Sequence, residues 1–116
     1  MSETATAATA AAVAELSGLA QTIGHEFGRP ELLLQAVTHK SFRNEQTSSL
    51  TFNNERLEYL GDAVLDLAMS DLLMRTFPEA SEGSLSKRRA SLVNEETLAA
   101  MARTIKLDEC LRVGRG

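Results

Sequence analysis

Residues 53–66 constrain the fold of this chain more than any other stretch, because they combine acidic and apolar residues at helical spacing. On a helix, which turns by about 100° per residue, the carboxylates share one side. They are Glu55, Glu58, Asp62 and Asp66. The opposite side is apolar and is predicted to face a core, with Leu57, Leu60, Val64, Leu67 and Ala68. The stretch therefore predicts an amphipathic helix with one acidic face.

Crowded carboxylates of this kind need an explanation. Like charges four residues apart destabilise a helix by a few tenths of a kcal/mol per pair, and such local conflicts tend to mark functional sites. Carboxylate oxygens at this spacing can converge on a hard divalent cation, which would relieve the repulsion. A solvated acidic face explains the same pattern without a ligand. The spacing alone leaves both interpretations open.

Length and composition indicate one domain. A chain of 116 residues can bury one core of its own, and no run approaches the roughly 20 apolar residues of a membrane span. The single cysteine, Cys110, excludes an internal disulfide and is interpreted as a small hydrophobic residue. Because the sequence also begins without the basic and apolar parts of a secretory signal, we expect a cytoplasmic protein with no membrane partner.

The charge is unevenly distributed along the chain. A net charge of −4 argues against a general nucleic-acid binder, which is usually basic. Basic residues nevertheless dominate beyond Glu82, where the chain carries Lys87, Arg88, Arg89, Arg103, Lys106, Arg112 and Arg115. An acidic metal site beside a basic, phosphate-facing surface would produce this asymmetry.

Periodicity predicts helices before the acidic stretch. Residues 1–8 are small and polar and are expected to form a disordered tail. A helix is predicted from Thr9, as its N-cap, to Ile23, with Gly24 ending it. Residues 30–38 are predicted to form a short helix, and a polar loop is expected over residues 42–52.

The acidic helix itself has clear start and stop signals. Asn53 or Asn54 can cap it, and it is expected to end before Phe77 because a proline follows. Asp71 falls on its apolar side, where Arg75, four residues on, is the expected partner.

Helical signals continue to the end of the sequence. One helix is predicted from residue 84 or 85 to 93, and another over residues 95–105 with Asn94 as its cap. Residues 107–111 are expected to add one turn. No alternating run of β-branched residues predicts a strand, so the predicted fold is all-α.

The residue motif of the acidic stretch is more specific for a protein family than its helical periodicity. Residues 54–65 read NERLEYLGDAVL, and further segments read LLLQAVTHKS over 32–41, LSKRRASLV over 85–93 and LDECLRVG over 107–114. Taken together in chain order, these segments resemble the nuclease domain of the ribonuclease III family. The resemblance implies a helical domain over residues 9–116, built around one long central acidic helix.

Roles for individual carboxylates follow from this resemblance. It implies that Glu58 and Asp62 are ligands of Mg²⁺, for which Mn²⁺ is a possible substitute, and that Glu55 is a further catalytic carboxylate. Glu82 matches an accessory acidic position near the same site. Asp66 lies outside the family's motif and is expected to be solvated.

Other matched positions suggest contacts with a partner subunit and with RNA. Tyr59 matches an aromatic residue that anchors a homodimer, although a surface tyrosine would look the same in sequence. Lys87, Arg88 and Arg89 are candidates for contacts with the RNA backbone, and a solvated basic helix face is the alternative. His39 is expected to have a structural role.

The implied activity is that of a double-stranded-RNA-specific endoribonuclease that leaves 5′-phosphate and 3′-hydroxyl ends during the processing of rRNA and structured RNA. Two alternatives are a non-catalytic RNA-binding or ribosome-associated relative and a structural dimerisation module. The three motif carboxylates favour the enzyme. The family also carries a second acidic pair on a later helix, and many members carry a double-stranded-RNA-binding domain. Neither occurs up to Gly116, so residues 1–116 are predicted to hold half of the metal site and to be inactive alone.

Overall fold

A computed structural model describes residues 3–42 and 52–114 of the chain, with side chains from Thr9 onward. Six α-helices are described: α1 (Glu3–Ala14), α2 (Ser17–Ile23), α3 (Pro30–Ala36), α4 (Glu55–Thr76), α5 (Glu82–Leu92) and α6 (Glu95–Thr104). A 3₁₀ turn follows at Leu107–Glu109. The described residues contain no strand, and Thr38 and Arg112 form an isolated parallel bridge. The all-α prediction is confirmed.

The first helical region differs from its prediction in two ways. The backbone is helical from Glu3, so Thr9 is not an N-cap and the expected tail over residues 1–8 is corrected from residue 3 onward. The alanine-rich sequence explains this, since alanine has the highest helix propensity. The region is also broken, because Leu16 N–H donates to Val13 in a tightened turn before α2 begins. Gly24 ends α2 with a φ of 71°, as predicted.

The main core lies where α1, α2 and α3 meet. Its buried residues are Leu16, Leu19, Leu33, Leu34 and Val37. Residues from the far end of the chain pack against this cluster, including Ile105, Leu107 and Cys110. Cys110 is half-buried and free, which agrees with its prediction as a small hydrophobic residue. The C-terminal segment therefore closes the N-terminal core.

The apolar side of α4 is not buried, contrary to the prediction. Leu60, Val64 and Leu67 are 58%, 56% and 72% exposed. Within α4 only Leu73, near the end that packs against α5, is buried. An amphipathic stripe enters a core only when another element covers it, and the described residues supply no such element for this part of α4. Among these residues, none of the helices combines the length and the apolar character needed to cross a lipid bilayer.

Local signals in the second half of the chain agree well with the structure. Asp71 pairs with Arg75 at 3.0 Å, although both side chains are exposed. Asn94 caps α6 as predicted, because its Oδ1 accepts a 2.9 Å bond from Thr97 N–H. Helix α5 starts earlier than predicted, at Glu82, since Ser81 caps it.

Other element boundaries also differ slightly from the prediction. Helix α3 ends earlier, at residue 36, and the final turn is a short 3₁₀ turn. Residues 43–51 of the predicted loop lie outside the described residues.

Candidate nuclease site

The first turn of α4 is fixed by two asparagines. Asn53 Oδ1 accepts a 2.9 Å bond from Glu55 N–H. Asn54, the last residue before the helix, makes no capping bond with its side chain. Its amide Nδ2 donates instead to the carbonyl of Ala36, and its backbone N–H donates to the carbonyl of Thr38, at 3.0 and 2.8 Å. The predicted cap is therefore divided between them, and Asn54 ties α4 to the end of α3.

These contacts create a depression of about 410 Å³ beside the start of α4, which we call the acidic depression. It is lined by His39, Lys40, Asn54, Glu55, Glu58, Tyr59 and Asp62. Because Glu58 and Asp62 are four residues apart on one helix, their side chains leave the same face. The structure thus brings together the three carboxylates that the sequence singled out for catalysis.

Among the residues that the structure describes, Glu55 is the one of these three carboxylates that forms an ion pair. Lys40 Nζ lies 3.6 Å from Glu55 Oε1, and both side chains are largely exposed. The ion pair is therefore screened by solvent and contributes little to stability. Its importance is local, since it partly offsets one negative charge at the rim of the depression. Lys40 was given no role in the sequence analysis, because no pattern in the residues next to it indicates that Glu55, fifteen positions later, is its partner.

The donor set at the depression fits a metal that needs few protein ligands. In the part of the chain that the structure describes, no group of three or more His, Cys, Asp or Glu side chains is close enough to hold a metal ion. Glu58 and Asp62 are both exposed and can still offer hard oxygen ligands within an open depression. Mg²⁺ is commonly bound in this way, by one or two carboxylates together with water and substrate phosphates. The residues therefore suit part of a Mg²⁺ site rather than a closed cage.

His39 contacts both the depression and the rest of the fold. Its Nδ1 accepts a 3.1 Å bond from Ser41 N–H and lies 2.7 Å from Ser41 Oγ. Because Nδ1 accepts the backbone bond, the neutral ring carries its proton on Nε2. These contacts fit the structural role expected for His39, while its position also gives the depression one wall.

Two other acidic residues lie elsewhere. Glu82 stands in the first turn of α5 and lines a separate cavity of about 190 Å³ with residues that include Ser70, Leu73 and Arg89. It does not line the acidic depression. Asp66 is exposed and also lies outside the depression.

The three basic candidates on α5 have different surroundings. Lys87 is exposed. The guanidinium of Arg88 lies 3.9 Å from the centre of the Phe77 ring, which is a cation–π contact. Arg89 is half-buried and donates a 2.8 Å bond to Ser70 Oγ on α4. Two of these cations thus have contacts within the chain.

Tyr59 is 84% exposed at the edge of the depression. Leu60, Val64 and Leu67 extend an exposed apolar surface along the same helix. We call these four residues the α4 stripe.

Comparison with known proteins gives this arrangement a context. Residues 29–116 match the family described as ribonuclease-III-like. Ribonuclease 3 of Nitratidesulfovibrio vulgaris is 52% identical over 98 residues, which cover 84% of this chain and 38% of that protein. Ribonuclease 3 of Geobacter sulfurreducens is 41% identical over 116 residues, which cover all of this chain and 47% of that protein. The chain therefore spans less than half the length of these relatives.

A solved structure shares the fold. The nuclease domain of ribonuclease III from Campylobacter jejuni, solved in work on structural flexibility in a region involved in dimer formation, aligns with a TM-score of 0.75 and 42% identity. The alignment covers 85% of this chain and 65% of that domain. A match to the family over most of the chain, close relatives and a shared helical fold agree with the motifs quoted above. The chain belongs to the ribonuclease-III-like family.

Proposed function

We propose that this chain forms part of the nuclease domain of a Mg²⁺-dependent endoribonuclease that cleaves double-stranded RNA. The observation that carries the proposal is that Glu55, Glu58 and Asp62 line one open depression. Family membership supports the same conclusion, since the relatives matched are ribonucleases 3. The substrates are structured RNAs, including precursors of rRNA, and the protein acts in the cytoplasm.

The three carboxylates are proposed to have different roles. Glu58 and Asp62 would hold Mg²⁺, for which Mn²⁺ could substitute. The bound metal would activate water and offset charge on the phosphoryl oxygens. Glu55 adds negative charge beside this pair and forms an ion pair with Lys40. Hydrolysis adds water across the bond between phosphorus and the 3′ oxygen, so one product carries a 5′-phosphate and the other a 3′-hydroxyl.

The functional protein is proposed to be a homodimer. The α4 stripe supports this, because several large apolar side chains exposed on one helix are typical of an interaction site. A symmetric dimer would place the stripes of two copies against each other and would set two acidic depressions in one assembly. Each would then cut one strand of a duplex, whose A-form shape is recognised without much sequence preference.

The test compares carboxylate variants of the full-length protein on a labelled RNA duplex, with Mg²⁺ and with a chelator. We expect Glu58→Gln and Asp62→Asn each to slow cleavage on the order of 10²-fold or more, because a metal ion supplies several kcal/mol of transition-state stabilisation. Asp66→Asn is the matched control on the same helix and should cleave at the parent rate.

Each result has a clear reading. Unchanged cleavage in both the Glu58 and Asp62 variants would show that these residues are not the metal ligands. Cleavage that continues in the chelator would remove the metal from the proposal. Duplex binding by the parent protein without any cleavage would favour the non-catalytic RNA-binding alternative.

A further inference from the structure

Arg112 joins the C-terminal segment to the residues that follow α3. Its backbone N–H donates to the carbonyl of Val37, and its own carbonyl accepts from His39 N–H, both at 2.8 Å. Its side chain adds to the same contact, because Nη1 donates a 3.3 Å bond to Thr38 Oγ1. The guanidinium also lies 4.3 Å from the centre of the Phe42 ring. Main chain and side chain of one residue therefore hold residues 37–42.

The centre of this contact is buried. Thr38 is 2% exposed, and its hydroxyl donates a 2.6 Å bond to the carbonyl of Leu34 while accepting from Arg112. Burial lowers the pKa of Arg112, and the negative charge of Glu15 opposes this effect. A partly buried cation of this kind is tolerated when it is hydrogen-bonded. The geometry thus fixes Arg112 rather than leaving it free in solvent.

Thr38 carries the connection on towards α4. Its carbonyl accepts the 2.8 Å bond from Asn54 N–H, and α4 begins at the next residue. The carbonyl of Asn54 in turn accepts a 2.7 Å bond from Glu58 N–H. Arg112, Thr38, Asn54 and Glu58 therefore form a continuous chain of hydrogen-bonded residues that ends at the backbone N–H of Glu58, whose side chain lines the acidic depression.

The same C-terminal segment also reaches a second part of the lining of the depression. Gly114 N–H donates a 2.8 Å bond to Ser41 Oγ, and that hydroxyl lies 2.7 Å from His39 Nδ1. His39 lines the depression. Two separate connections thus run from the segment that contains Arg112, one to the first turn of α4 and one to His39.

We propose that Arg112 is a positioning residue for the acidic depression, a proposal that rests on the proposed nuclease function. Arg112 lines no part of the depression. Through Thr38 and Asn54 it fixes the first turn of α4 relative to His39 and Lys40. It therefore sets where the carboxylates of α4 lie within the depression in which they would bind a divalent cation. Its role is comparable to that of an outer residue that orients metal ligands.

The experiment uses the full-length protein and two measurements that need no RNA. Mn²⁺ affinity is measured by electron paramagnetic resonance of the free ion, and hydrogen exchange is measured for the amides of residues 54–62. Both are recorded well below the melting temperature of every variant. The variants are Arg112→Ala, Arg112→Lys and, as a matched control, Arg103→Ala at an exposed arginine in the last turn of α6.

We expect Arg112→Ala to weaken Mn²⁺ binding on the order of tenfold, as losses of outer residues at metal sites do. Exchange in the first turn of α4 should become faster. Arg112→Lys keeps a cation and a donor and should recover part of both effects, while Arg103→Ala should match the parent. In cleavage assays kcat should fall, because the carboxylates that would bind the metal are less well positioned. The KM for RNA should change little, because Arg112 lies away from the depression.

Several outcomes would overturn the proposal. Unchanged Mn²⁺ affinity and unchanged exchange in Arg112→Ala would do so, and so would equal losses in Arg103→Ala, which would indicate general destabilisation. If Arg112→Ala does not fold, Thr38→Val replaces it, because this change removes the hydroxyl that Arg112 contacts and keeps the carbonyl that Asn54 uses. It must then show the same two effects, or the proposal fails.

Failure of the proposed function is seen separately. A parent protein that binds Mn²⁺ but cleaves no duplex would contradict the nuclease function and leave the positioning role to be decided by the Mn²⁺ and exchange results. A parent protein that binds no Mn²⁺ would contradict both.

Discussion

The guanidinium of Arg89 donates a 2.8 Å hydrogen bond to the hydroxyl of Ser70, and this contact joins α5 to α4. The Ser70 hydroxyl donates in turn to the carbonyl of Asp66 at 2.7 Å. A residue that sequence reasoning assigned to RNA thus has a partner within the fold. Arg89 and Lys87, two residues apart on α5, are consequently expected to respond differently to the same substitution.

We expect Arg89→Ala to lower the free energy of unfolding by about 1–3 kcal/mol, because it removes a charge-assisted, partly buried hydrogen bond. Lys87→Ala changes an exposed position and should stay within about 0.5 kcal/mol of the parent. Urea denaturation of both variants measures the difference. Equal, small effects would show that the Arg89 contact is not a stabilising one.

Glu55 is expected to matter less for cleavage than Glu58, because Lys40 already offsets its charge at 3.6 Å. Glu55→Gln should therefore slow cleavage less than the loss, on the order of 10²-fold, expected for Glu58→Gln. Single-turnover cleavage at saturating Mg²⁺ compares the two variants. If the ion pair is relevant, the effects of Lys40→Gln and Glu55→Gln should not add in the double variant. Equal losses from Glu55→Gln and Glu58→Gln would contradict the distinction.

The α4 stripe makes a prediction about assembly. Val64→Asp places a charge within the stripe, between Leu60 and Leu67, on a residue that is 56% exposed in one copy of the chain. We expect the dissociation constant of the proposed dimer to rise roughly 30-fold or more, since central interface residues contribute about 2 kcal/mol or more. Sedimentation of the full-length protein measures this. Ile23→Asp, an equivalent change at an exposed residue of α2, should leave the assembly intact.

Gly114 is expected to tolerate no side chain. A Cβ atom built at this position would overlap the backbone oxygen of Ser41, whereas one built at Gly83 would meet nothing within 4 Å. Gly114→Ala should therefore reduce stability by about 1–3 kcal/mol, as overpacking does. Gly83→Ala, inside α5, should leave stability unchanged or raise it by up to about 1 kcal/mol. Thermal unfolding of both variants checks this, and a neutral Gly114→Ala would show that the approach to Ser41 is not tight.

Local features of the fold could be predicted from sequence because their causes lie within a few residues. The cap by Asn94 and the left-handed end of α2 at Gly24 depend on side chains next to the feature. The pairing of Asp71 with Arg75 depends on one helical turn. The start of α4 was predicted for the same reason, although the structure divides its contacts between Asn53 and Asn54.

Long-range features could not be predicted in this way. Arg112 contacts Thr38 across 74 positions of sequence, and no local pattern indicates that pairing. The stripe on α4 shows the same limit. Its spacing indicates which side of the helix is apolar, but it does not indicate what covers that side. Glu55, Glu58 and Asp62 were separated from Asp66 as candidates because family motifs carry information that periodicity lacks.

The distribution of buried residues has a thermodynamic consequence. Among the described residues five of the six buried apolar side chains belong to the cluster of α1–α3, and in α4–α6 only Leu73 is buried. Removal of apolar surface from water produces the positive heat-capacity change of unfolding, about 12–15 cal/mol/K per residue in ordinary domains. Helices α4–α6 alone would contribute less than this per residue. Any partner that covers the α4 stripe would therefore be detected calorimetrically as added heat capacity, before its identity is known.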